Sequence, residues 1–505
     1  MPQGQGRTYA AVIGVTVGML VAGLGVPLAY GRFDNGATTT AAGQSQLSQV
    51  PGSSSSTLGR SATAGATTGP AAGLGPAHAG SSSLGSAGNP SVSGLGAASG
   101  PGGPGNPSGT GKTGLRATDQ GVTATTVKLG VVLLDIRALE PLGFAQPHFT
   151  PQEQQQQYQT FIDQVNREGG LNGRKIVPDY KTYNALDTNG AQSGPAICIQ
   201  LAENDKVFAA IGVLGGNMDV CLTQQYGIPA ISNTSQITEA YSKSRYLLMS
   251  LFASLERAAA NWGDLSARTG IVTGHKTGTV SSDTPVETKP EQALVDALKA
   301  DGQPVTYRAH LAGDQASAQS QLPIEIQKMQ AAGVDTVFLC TNFVVAIQFV
   351  QTAEKQGFRP HYLVSDIGSI TADGLVQSMP SSFDGALGFT QGAFARPEPP
   401  ADTKCRTDFN KATGNHYAAG NEAAGTTLFC WMVKAFAEGA RLAGTNLTRL
   451  GVAYAYQHMT LHLGHTLPGH LAPGKTDYAD EMRIIKFSTA CKCYQPDGQA
   501  MSVRY

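Results

Sequence analysis

Residues 207–235 read VFAAIGVLGGNMDVCLTQQYGIPAISNTS and carry the clearest structural pattern in the chain. Two apolar runs rich in β-forming residues, VFAAIGV and PAIS, predict strands, and the segment between them predicts the helix that a parallel pair requires. The polar loops LGGN and SNTS then follow the carboxyl ends of neighbouring strands, where open α/β sheets bind their ligands. Because these loops offer amides and hydroxyls but no strong acid, base or nucleophile, we expect the site to hold a ligand rather than transform it.

The composition of the 505-residue chain excludes one class of function and indicates a compartment. Its formal net charge of -1 provides no basic surface for nucleic acid. Seven cysteines, of which Cys198 is the first, exceed what a cytosolic protein of this kind needs, and their spacing favours disulfides. Because the count is odd, at least one thiol stays unpaired.

The first 118 residues predict an anchor and a linker rather than a folded domain. Residues 1–35 contain an apolar run, 9–30, long enough to cross a bilayer of about 30 Å, so this segment is either an export signal or a retained anchor. We favour the anchor because the run is long for a signal and is followed by a poor cleavage site. Residues 36–118 are mainly Gly, Ser, Ala, Pro and Thr, which is typical of a disordered linker. Lys112 resembles the lysine of a phosphate-binding loop, but Asn106 stands where that loop needs Gly.

From Val122 onward, predicted strands and helices alternate. Strands over 125–134 and 175–184 are separated by a helix near 152–168, and the same alternation runs on to about residue 383. Two successive runs of this kind predict an α/β fold with two doubly wound lobes. The predicted first lobe comprises about 122–252 and 384–470, and the predicted second lobe comprises about 253–383 and 471–505.

Six segments in a fixed order carry a resemblance to a known family: GVTATTVKLGVV, REGGLNGRKIV, VFAAIGVLGGN, IPAISNTS, SSDTP and AAGVDTVFLCTNFVVAIQFVQTAEKQGF. Together they resemble the extracytoplasmic solute-binding proteins of ABC transporters, and within these the branched-chain amino acid (Leu/Ile/Val) binding group. Over residues 121–505 the resemblance implies a type I periplasmic binding protein fold. In this fold, two Rossmann-like lobes are joined by a three-segment hinge and close on a ligand.

The resemblance also implies which strand-end residues contact the ligand. In the family, the loop that corresponds to residues 215–217 supplies a hydroxyl to the ligand's carboxylate, and this chain has no hydroxyl there, so a standard α-amino acid fits less well. A ligand ammonium group would pair with Asp283 or Asp366, an interaction that a closed cleft of low dielectric strengthens. The implied ligand contacts are Gly215, Gly216, Asn217, Ser232, Asn233, Thr234, Ser235, Asp283, Thr284, Asn342 and Asp366.

Local structure offers a second interpretation of each of these residues. Polar side chains at strand ends often serve only as turn formers or helix N-caps. By topology, the loop 134–136 after the first strand is also expected at the cleft. Three aromatic residues either line the pocket or pack in the core, namely Phe149, Tyr226 and Phe343.

The cysteines divide into candidate disulfides and one candidate thiol. The family often carries a disulfide across the interval from Cys198 to Cys221, and Cys405 and Cys430 bracket another segment that could be closed similarly. Cys340 lies in an apolar strand, which predicts a buried free thiol. The residues that could compete for either disulfide are Cys491 and Cys493.

The sequence carries no motif typical of an enzyme or a metal site. It lacks G-x-S-x-G, H-E-x-x-H, an intact phosphate loop and a G-x-G-x-x-G after a strand, although a triad assembled from distant positions leaves no motif. Breakers such as Gly464 and Pro468 interrupt a histidine cluster, which we interpret as a solvated loop rather than a zinc site. We therefore expect no catalysis, cofactor or metal. The clustered histidines are His458, His462, His465 and His470.

These observations predict an exported receptor for a small polar solute, such as an amino acid, an amide or an organic acid. The expected partners are the solute, an ABC transporter permease and the membrane, which the N-terminal segment would reach. One alternative is a membrane-tethered sensory or cell-surface binding protein with the same fold but no permease. A third possibility is an enzyme built on that fold.

Overall fold

A computed structural model describes residues 114–142, 146–185, 193–215, 218–244, 248–250, 252–368, 370–392, 398–460, 466–475 and 477–504. The predicted anchor and the predicted linker up to residue 113 lie outside these ranges. Residues 114–118, which composition assigned to the linker, pack against the folded part of the chain. Leu115 is buried there, Arg174 donates to the Arg116 carbonyl over 2.9 Å, and the Thr118 hydroxyl donates to the Leu447 carbonyl. The folded unit therefore begins before the predicted boundary.

The first lobe contains a five-stranded sheet whose pairings are all parallel, in the order β2-β1-β3-β4-β5. Its strands are β1 (Thr126–Asp135), β2 (Lys175–Asn184), β3 (Ala209–Gly212), β4 (Ala230–Ser232) and β5 (Leu248–Ser250). Apolar β-formers fill β1, where the neighbours Val131 and Val132 point to opposite faces and are both fully buried, as expected for a strand covered on both faces.

Seven α-helices are described in this part of the chain. They are α1 (Pro151–Arg167), α2 (Gly194–Ile199), α3 (Met218–Val220), α4 (Thr238–Lys243), α9 (Pro400–Thr413), α10 (Ala424–Leu442) and α11 (Arg449–Gln457). The period-two alternation of the strands divides the core between them: Val131 packs with α1, α9 and α10, whereas Val132 packs with α2 and α3. Helix α1 starts at a capping box, in which Glu153 N–H donates to Thr150 Oγ1 and Thr150 N–H donates to the Glu153 carboxylate.

The second lobe contains a mixed sheet in the order β12-β11-β10-β9-β8-β6-β7, with β13 paired to β11. Strands β6 to β10 pair in parallel, and β11 runs antiparallel to its neighbours. The strands are β6 (Thr277–Ser282), β7 (Tyr307–Leu311), β8 (Thr336–Leu339), β9 (His361–Ser365), β10 (Leu387–Thr390), β11 (Glu481–Ser488), β12 (Cys493–Pro496) and β13 (Met501–Ser502). The helices are α5 (Leu255–Arg268), α6 (Pro285–Ala300), α7 (Gln315–Ala332) and α8 (Phe343–Lys355).

One strand corrects the predicted lobe boundary. The sequence analysis assigned residues 384–470 to the first lobe, but β10 pairs with β9 and β11 in the second sheet. The chain therefore returns to the first lobe after β10, where α9 packs against α1 and α10. The apolar run FDGALGFTQ predicts a strand in either sheet, because periodicity does not say which neighbour the strand will pair with.

Three segments cross between the lobes and are hydrogen-bonded to one another. Gln391, in the second crossing segment, accepts from Ala253 N–H in the first, and its carbonyl accepts from Leu467 N–H of the third over 2.8 Å. Asp477, also in the third segment, accepts from Ser254 N–H over 2.7 Å and from Arg257 over 3.1 Å. These bonds join the three segments into one hinge and confirm the three-segment connection that the family resemblance implies.

The structure contains three disulfides. Cys198–Cys221 and Cys405–Cys430 form as expected, and Cys340 is a buried free thiol. The expectation that Cys491 and Cys493 compete for those bonds is wrong, because they pair with each other. Among the described residues, none of the helices combines the length and the apolar character needed to span a bilayer.

Candidate functional site

The carboxyl ends of the two sheets face each other. Ile136 and Ala185, which follow β1 and β2, pack in one apolar cluster with Phe343 and Leu375, which follow β8 and β9. The centre of this cluster is formed by Leu139, Val344 and Ile347. The strand-end loops of both lobes therefore border a shared cleft, the place where open α/β sheets bind ligands.

A short 3₁₀ segment, Arg137–Leu142, reaches from the first lobe to the second. Its Leu139 side chain is only 1% exposed, because it packs against α8. At its start the Arg137 guanidinium binds the Asp135 carboxylate, and this bond lowers the pKa of Asp135. We call Ile136, Leu139, Val344, Ile347, Leu375 and Met379 the inter-lobe cluster. The prediction that the loop 134–136 lies at the cleft holds for Ile136.

A second inter-lobe contact requires a glycine. A Cβ atom on Gly374 of the second lobe would lie 1.8 Å from Gln146 Oε1 and 3.4 Å from Asn421 Oδ1, both in the first lobe. The Gln146 amide also donates to the Asn421 carbonyl over 3.0 Å. Any larger residue at position 374 would push the lobes apart or displace Gln146.

The first lobe presents its predicted contacts in the loop after β4. Ser232 is fully buried, its Oγ lies 2.7 Å from Thr234 Oγ1, and it accepts from Thr234 N–H over 3.1 Å. These bonds close a local turn, so the Ser232 hydroxyl serves the backbone. Asn233 differs, because its buried Oδ1 has no hydrogen-bond partner within the described part of the chain. Ser235, the last predicted contact of this loop, is half-buried.

The loop after β3 is only partly described, since Gly216 and Asn217 lie outside the described residues. A Cβ on Gly215 would come within 2.8 Å of the Tyr183 hydroxyl, so a side chain at this position would displace Tyr183. Tyr183 is the penultimate residue of β2 and is 7% exposed. Its hydroxyl occupies space beside the position where the resemblance implies a ligand-binding side chain, and the sequence analysis did not identify it.

In the second lobe, Asp283 and Thr284 directly follow β6. Asp283 is exposed, and its N–H donates to the Leu311 carbonyl over 2.7 Å. Thr284 occupies the N-cap position of α6 without making a side-chain capping bond, and its buried Oγ1 lacks a partner among the residues described. A buried polar group without a partner costs free energy, so Thr284 and Asn233 are the predicted contacts best placed to gain a hydrogen bond from a ligand.

A buried carboxylate supports the loops after β6 and β8. Glu287 is 6% exposed and accepts from Ser282 N–H over 2.7 Å and from Asn342 N–H over 3.2 Å. Asn342 also donates its amide to Glu287, and its Oδ1 caps α8 by accepting from Val344 and Val345 N–H. The amide and the Oδ1 of Asn342 thus both form hydrogen bonds within the protein, as the N-cap interpretation predicts. Glu287 was missed because a Glu in the first turn of a helix ordinarily indicates only a favourable helix dipole.

Asp366 binds residues at the hinge, and its pairing with a ligand ammonium group stays a prediction. One carboxylate oxygen accepts from Thr371 Oγ1 over 2.5 Å, and the other accepts from Thr390 Oγ1 over 3.1 Å and Gln391 N–H over 2.6 Å. Burial raises the pKa of Asp366, and these three bonds oppose the shift. Because Gln391 links the crossing segments, Asp366 fixes the end of β9 to the hinge.

Asp219, in the helix that follows β3, is a buried acid whose pKa is strongly raised, and no sequence pattern indicated it. It is the second residue of α3, which begins at Met218, and it is fully buried. Burial raises its pKa from 3.8 to about 8, while bonds from Val220 N–H and the Gln236 side chain act in the opposite direction. An Asp at a helix start ordinarily predicts an exposed cap, so only the fold reveals that this one is enclosed.

The remaining candidates are placed as follows. Phe149, Tyr226 and Phe343 are partly buried against hydrophobic clusters, and Phe343 also borders the inter-lobe cluster. His458 stacks on Tyr454, and His470 binds Asp480, whereas the other two clustered histidines lie outside the described residues. No group of three or more His, Cys, Asp and Glu side chains within the described ranges is arranged to hold a metal ion.

A polar groove of about 630 Å³ lies on the surface between α1 and α9, apart from the facing strand ends. Four glutamines of α1 line one side, and Ala412 and Thr413 line the other. None of its lining residues belongs to a strand-end loop.

Comparison with known proteins gives the same architecture. A sequence profile described as periplasmic binding protein matches residues 151–480, well over half of the chain. No curated protein matches the sequence.

Several solved structures share the fold. The fatty acid ABC transporter substrate-binding protein of Thermomonospora curvata is 19% identical with a TM-score of 0.59, over 78% of this chain and 96% of that one. The Rhodopseudomonas palustris solute-binding protein in complex with 4-hydroxybenzoate is 13% identical with a TM-score of 0.59, over 75% and 97% of the two chains. A Desulfitobacterium hafniense substrate-binding protein in complex with Leu is 16% identical with a TM-score of 0.54, over 74% and 100%. At these identities the structures establish the fold, and with the matched profile they show that this chain belongs to the periplasmic binding protein family.

Proposed function

We propose that this protein is an extracytoplasmic solute receptor that closes its two lobes on a small ligand and delivers it to an ABC transporter permease. The observation that carries the proposal is the pair of facing strand ends joined by a three-segment hinge. That arrangement binds by closure, because a ligand that contacts both lobes stabilises the closed form. In this proposal the apolar N-terminal run tethers the receptor to the membrane, and the Gly/Ser-rich linker gives it reach.

The proposed ligand is a small molecule with a carboxylate group. The ligands named for the compared structures, 4-hydroxybenzoate, fatty acid and Leu, differ in their apolar parts but are all carboxylic acids. A Leu-type α-amino acid would need an acidic partner for its ammonium group, and the bonds of Asp366 at the hinge make Asp283 the more available of the two predicted partners. An organic acid that uses Thr284 as a donor fits these residues better.

A thermal-shift screen of the full-length protein against organic acids, amino acids, amides and sugars tests the ligand class. A ligand at 100 times its Kd adds about 2.7 kcal/mol to the stability of the native state. For a folded unit of roughly 390 residues, that is an increase in Tm of about 3 °C. If organic acids gave no shift and sugars did, the proposed ligand class would be wrong, and conversion of any hit to a product would indicate an enzyme.

Two variants locate the site. Thr284→Val keeps the shape of the side chain and removes the unpaired hydroxyl, and Asn233→Ala removes the unpaired amide oxygen. We expect each to weaken binding roughly 5- to 30-fold, which corresponds to about 1–2 kcal/mol for a lost buried hydrogen bond. Thr407→Val on the exposed face of α9 is the matched control, because its hydroxyl bonds only within the helix. Equal affinity in all three variants would place the ligand elsewhere.

The delivery step needs its own measurement. A ligand-bound receptor that stimulates ATP hydrolysis by a reconstituted permease and ATPase would support transport. A receptor that binds its ligand tightly but does not change ATP hydrolysis by any permease and ATPase pair of the same genome would instead support the sensory alternative.

A further inference from the structure

The turn between β11 and β12 carries a disulfide unlike the other two. Cys491 and Cys493 are separated by a single residue, Lys492, which adopts a left-handed backbone conformation with a φ of 49°. Cys491 is exposed to solvent, and Cys493 is 8% exposed. A thiolate from outside the protein can therefore approach one sulfur of this bond directly.

The other two disulfides are protected. Cys198, Cys405 and Cys430 are fully buried, and Cys221 is 7% exposed. These bonds span 23 and 25 residues, whereas Cys491–Cys493 spans 2. Because the stabilisation from a disulfide grows with the length of the loop that it closes, the short loop gains least from remaining oxidised. Accessibility and loop length both indicate that Cys491–Cys493 is reduced first.

This turn is bonded to a neighbouring segment of the second lobe. Gln377 donates its amide to the Lys492 carbonyl over 2.9 Å and to the Asp373 carbonyl over 2.6 Å. Tyr494 N–H donates to Asp373 Oδ1 over 2.8 Å. The backbone on both sides of Cys493 thus holds residues 373–379 in place.

The same segment makes the second lobe's contacts with the first. Gly374 lies against Gln146 and Asn421, and Leu375 and Met379 belong to the inter-lobe cluster around Leu139. A chain of direct contacts therefore runs from the disulfide, through Asp373 and Gln377, to the surface where the lobes meet.

We propose that Cys491–Cys493 is a thiol–disulfide exchange site for a dithiol reductant, and that its reduction loosens residues 373–379 and with them the contact between the lobes. One thiolate of the dithiol attacks Cys491 Sγ, forms a mixed disulfide and releases Cys493 as a thiolate. The second thiol of the reductant then attacks its own sulfur in the mixed disulfide and frees Cys491. Two electrons and two protons pass to the protein, and the dithiol leaves as a cyclic disulfide. This inference does not depend on the identity of the ligand.

The selective reduction of Cys491–Cys493 is tested on the full-length native protein with dithiothreitol as the dithiol. Samples are quenched with iodoacetamide at intervals, and the labelled peptides are mapped by mass spectrometry. We expect Cys491 and Cys493 to be labelled at least tenfold faster than the four other paired cysteines. Reduction of all three disulfides at one rate, or of Cys491–Cys493 last, would overturn the proposed site.

The loosening of residues 373–379 is tested by measuring their amide hydrogen exchange before and after this selective reduction. We expect amide exchange in the segment to rise at least threefold, while exchange in β6 and β8 stays unchanged. The variant Gln377→Leu, which cuts the bond to Lys492 but leaves the disulfide intact, should exchange rapidly in both redox states. Equal protection of residues 373–379 from amide exchange in the oxidised protein, the reduced protein and Cys491→Ser/Cys493→Ser would refute the coupling between the disulfide and this segment.

Discussion

The buried carboxyl of Asp219 should make this protein lose stability as the pH rises. In the folded protein Asp219 has a pKa of about 8, whereas the ordinary value that applies to the unfolded chain is 3.8. Between these two values the native state holds the proton and the unfolded chain does not. Unfolding therefore releases a proton, and the free energy of unfolding falls with increasing pH.

The size of the effect follows from the shift. Each pH unit between the two pKa values is worth about 1.4 kcal/mol, so the interval from pH 5 to pH 8 corresponds to at most about 4 kcal/mol. Roughly 390 folded residues carry an unfolding entropy that converts 1 kcal/mol into about 1.2 °C of Tm. The contribution of Asp219 is then a decrease in Tm of about 4–5 °C over this interval.

The perturbation is Asp219→Asn, which replaces the protonated acid by a neutral group of nearly the same shape. Near pH 5 the variant should already melt about 2 °C higher than the parent protein, because Asp219 of the unfolded parent ionises above pH 3.8 whereas Asn is neutral in both states. From pH 5 to pH 8 this difference in Tm should widen by about a further 4–5 °C, because the variant has no proton to release on unfolding. The acceptor for Val220 N–H is retained, so the start of α3 keeps this bond.

Differential scanning fluorimetry at pH 5, 6, 7 and 8 measures the difference between the two curves. Asp301→Asn, at the exposed C-terminal end of α6, is the matched control for loss of a carboxyl group. Parallel pH profiles for the parent protein and Asp219→Asn would show that Asp219 ionises in the folded state without cost, and the reasoning from burial would then be wrong.

Two further predictions concern the lobes and the disulfides. Leu139→Asp places a charge in the inter-lobe cluster, where burying it costs several kcal/mol. We therefore expect the lobes to separate and small-angle scattering to show a larger radius of gyration. The control Leu450→Asp, at a residue that is 67% exposed, should leave the radius unchanged. An equal radius for both variants would mean that Leu139 does not hold the lobes together. We expect removal of the Cys405–Cys430 disulfide, in Cys405→Ala/Cys430→Ala, to lower the free energy of unfolding by about 3.5 kcal/mol. Removal of the Cys491–Cys493 disulfide, in Cys491→Ala/Cys493→Ala, should lower it by only about 1.6 kcal/mol, because this disulfide closes a much shorter loop. Urea denaturation at fixed pH checks this ranking, and equal losses would contradict the loop-length argument.

The fold could be predicted because its signals are local. The strand β2 lies at the predicted residues, 175–184, and β1 and α1 differ from their predicted bounds by one residue at each end. Hydrophobic periodicity specifies these elements without reference to the rest of the chain. The Cys198–Cys221 bond followed from the family resemblance, since spacing alone does not determine which cysteines meet.

The candidate site was predicted less completely, because strand-end residues have several possible roles. Thr284 and Asn233 remain candidates through their unpaired buried atoms, whereas Asn342 is an N-cap and Asp366 belongs to the hinge. The sequence shows a polar residue after an apolar strand in all four cases. Which of them has a spare hydrogen-bonding group depends on partners that are distant along the chain.

The sequence by itself determined the alternation of strands and helices, the two-lobed α/β class and the small polar loops at the strand ends. Only the tertiary structure decided that β10 joins the second sheet, that Leu139 lies between the lobes and that Asp219 is enclosed. The physical reason is the range of the interactions. Periodicity and turn chemistry act over a few residues, whereas strand pairing, burial and pKa depend on groups that folding brings together from separate parts of the chain.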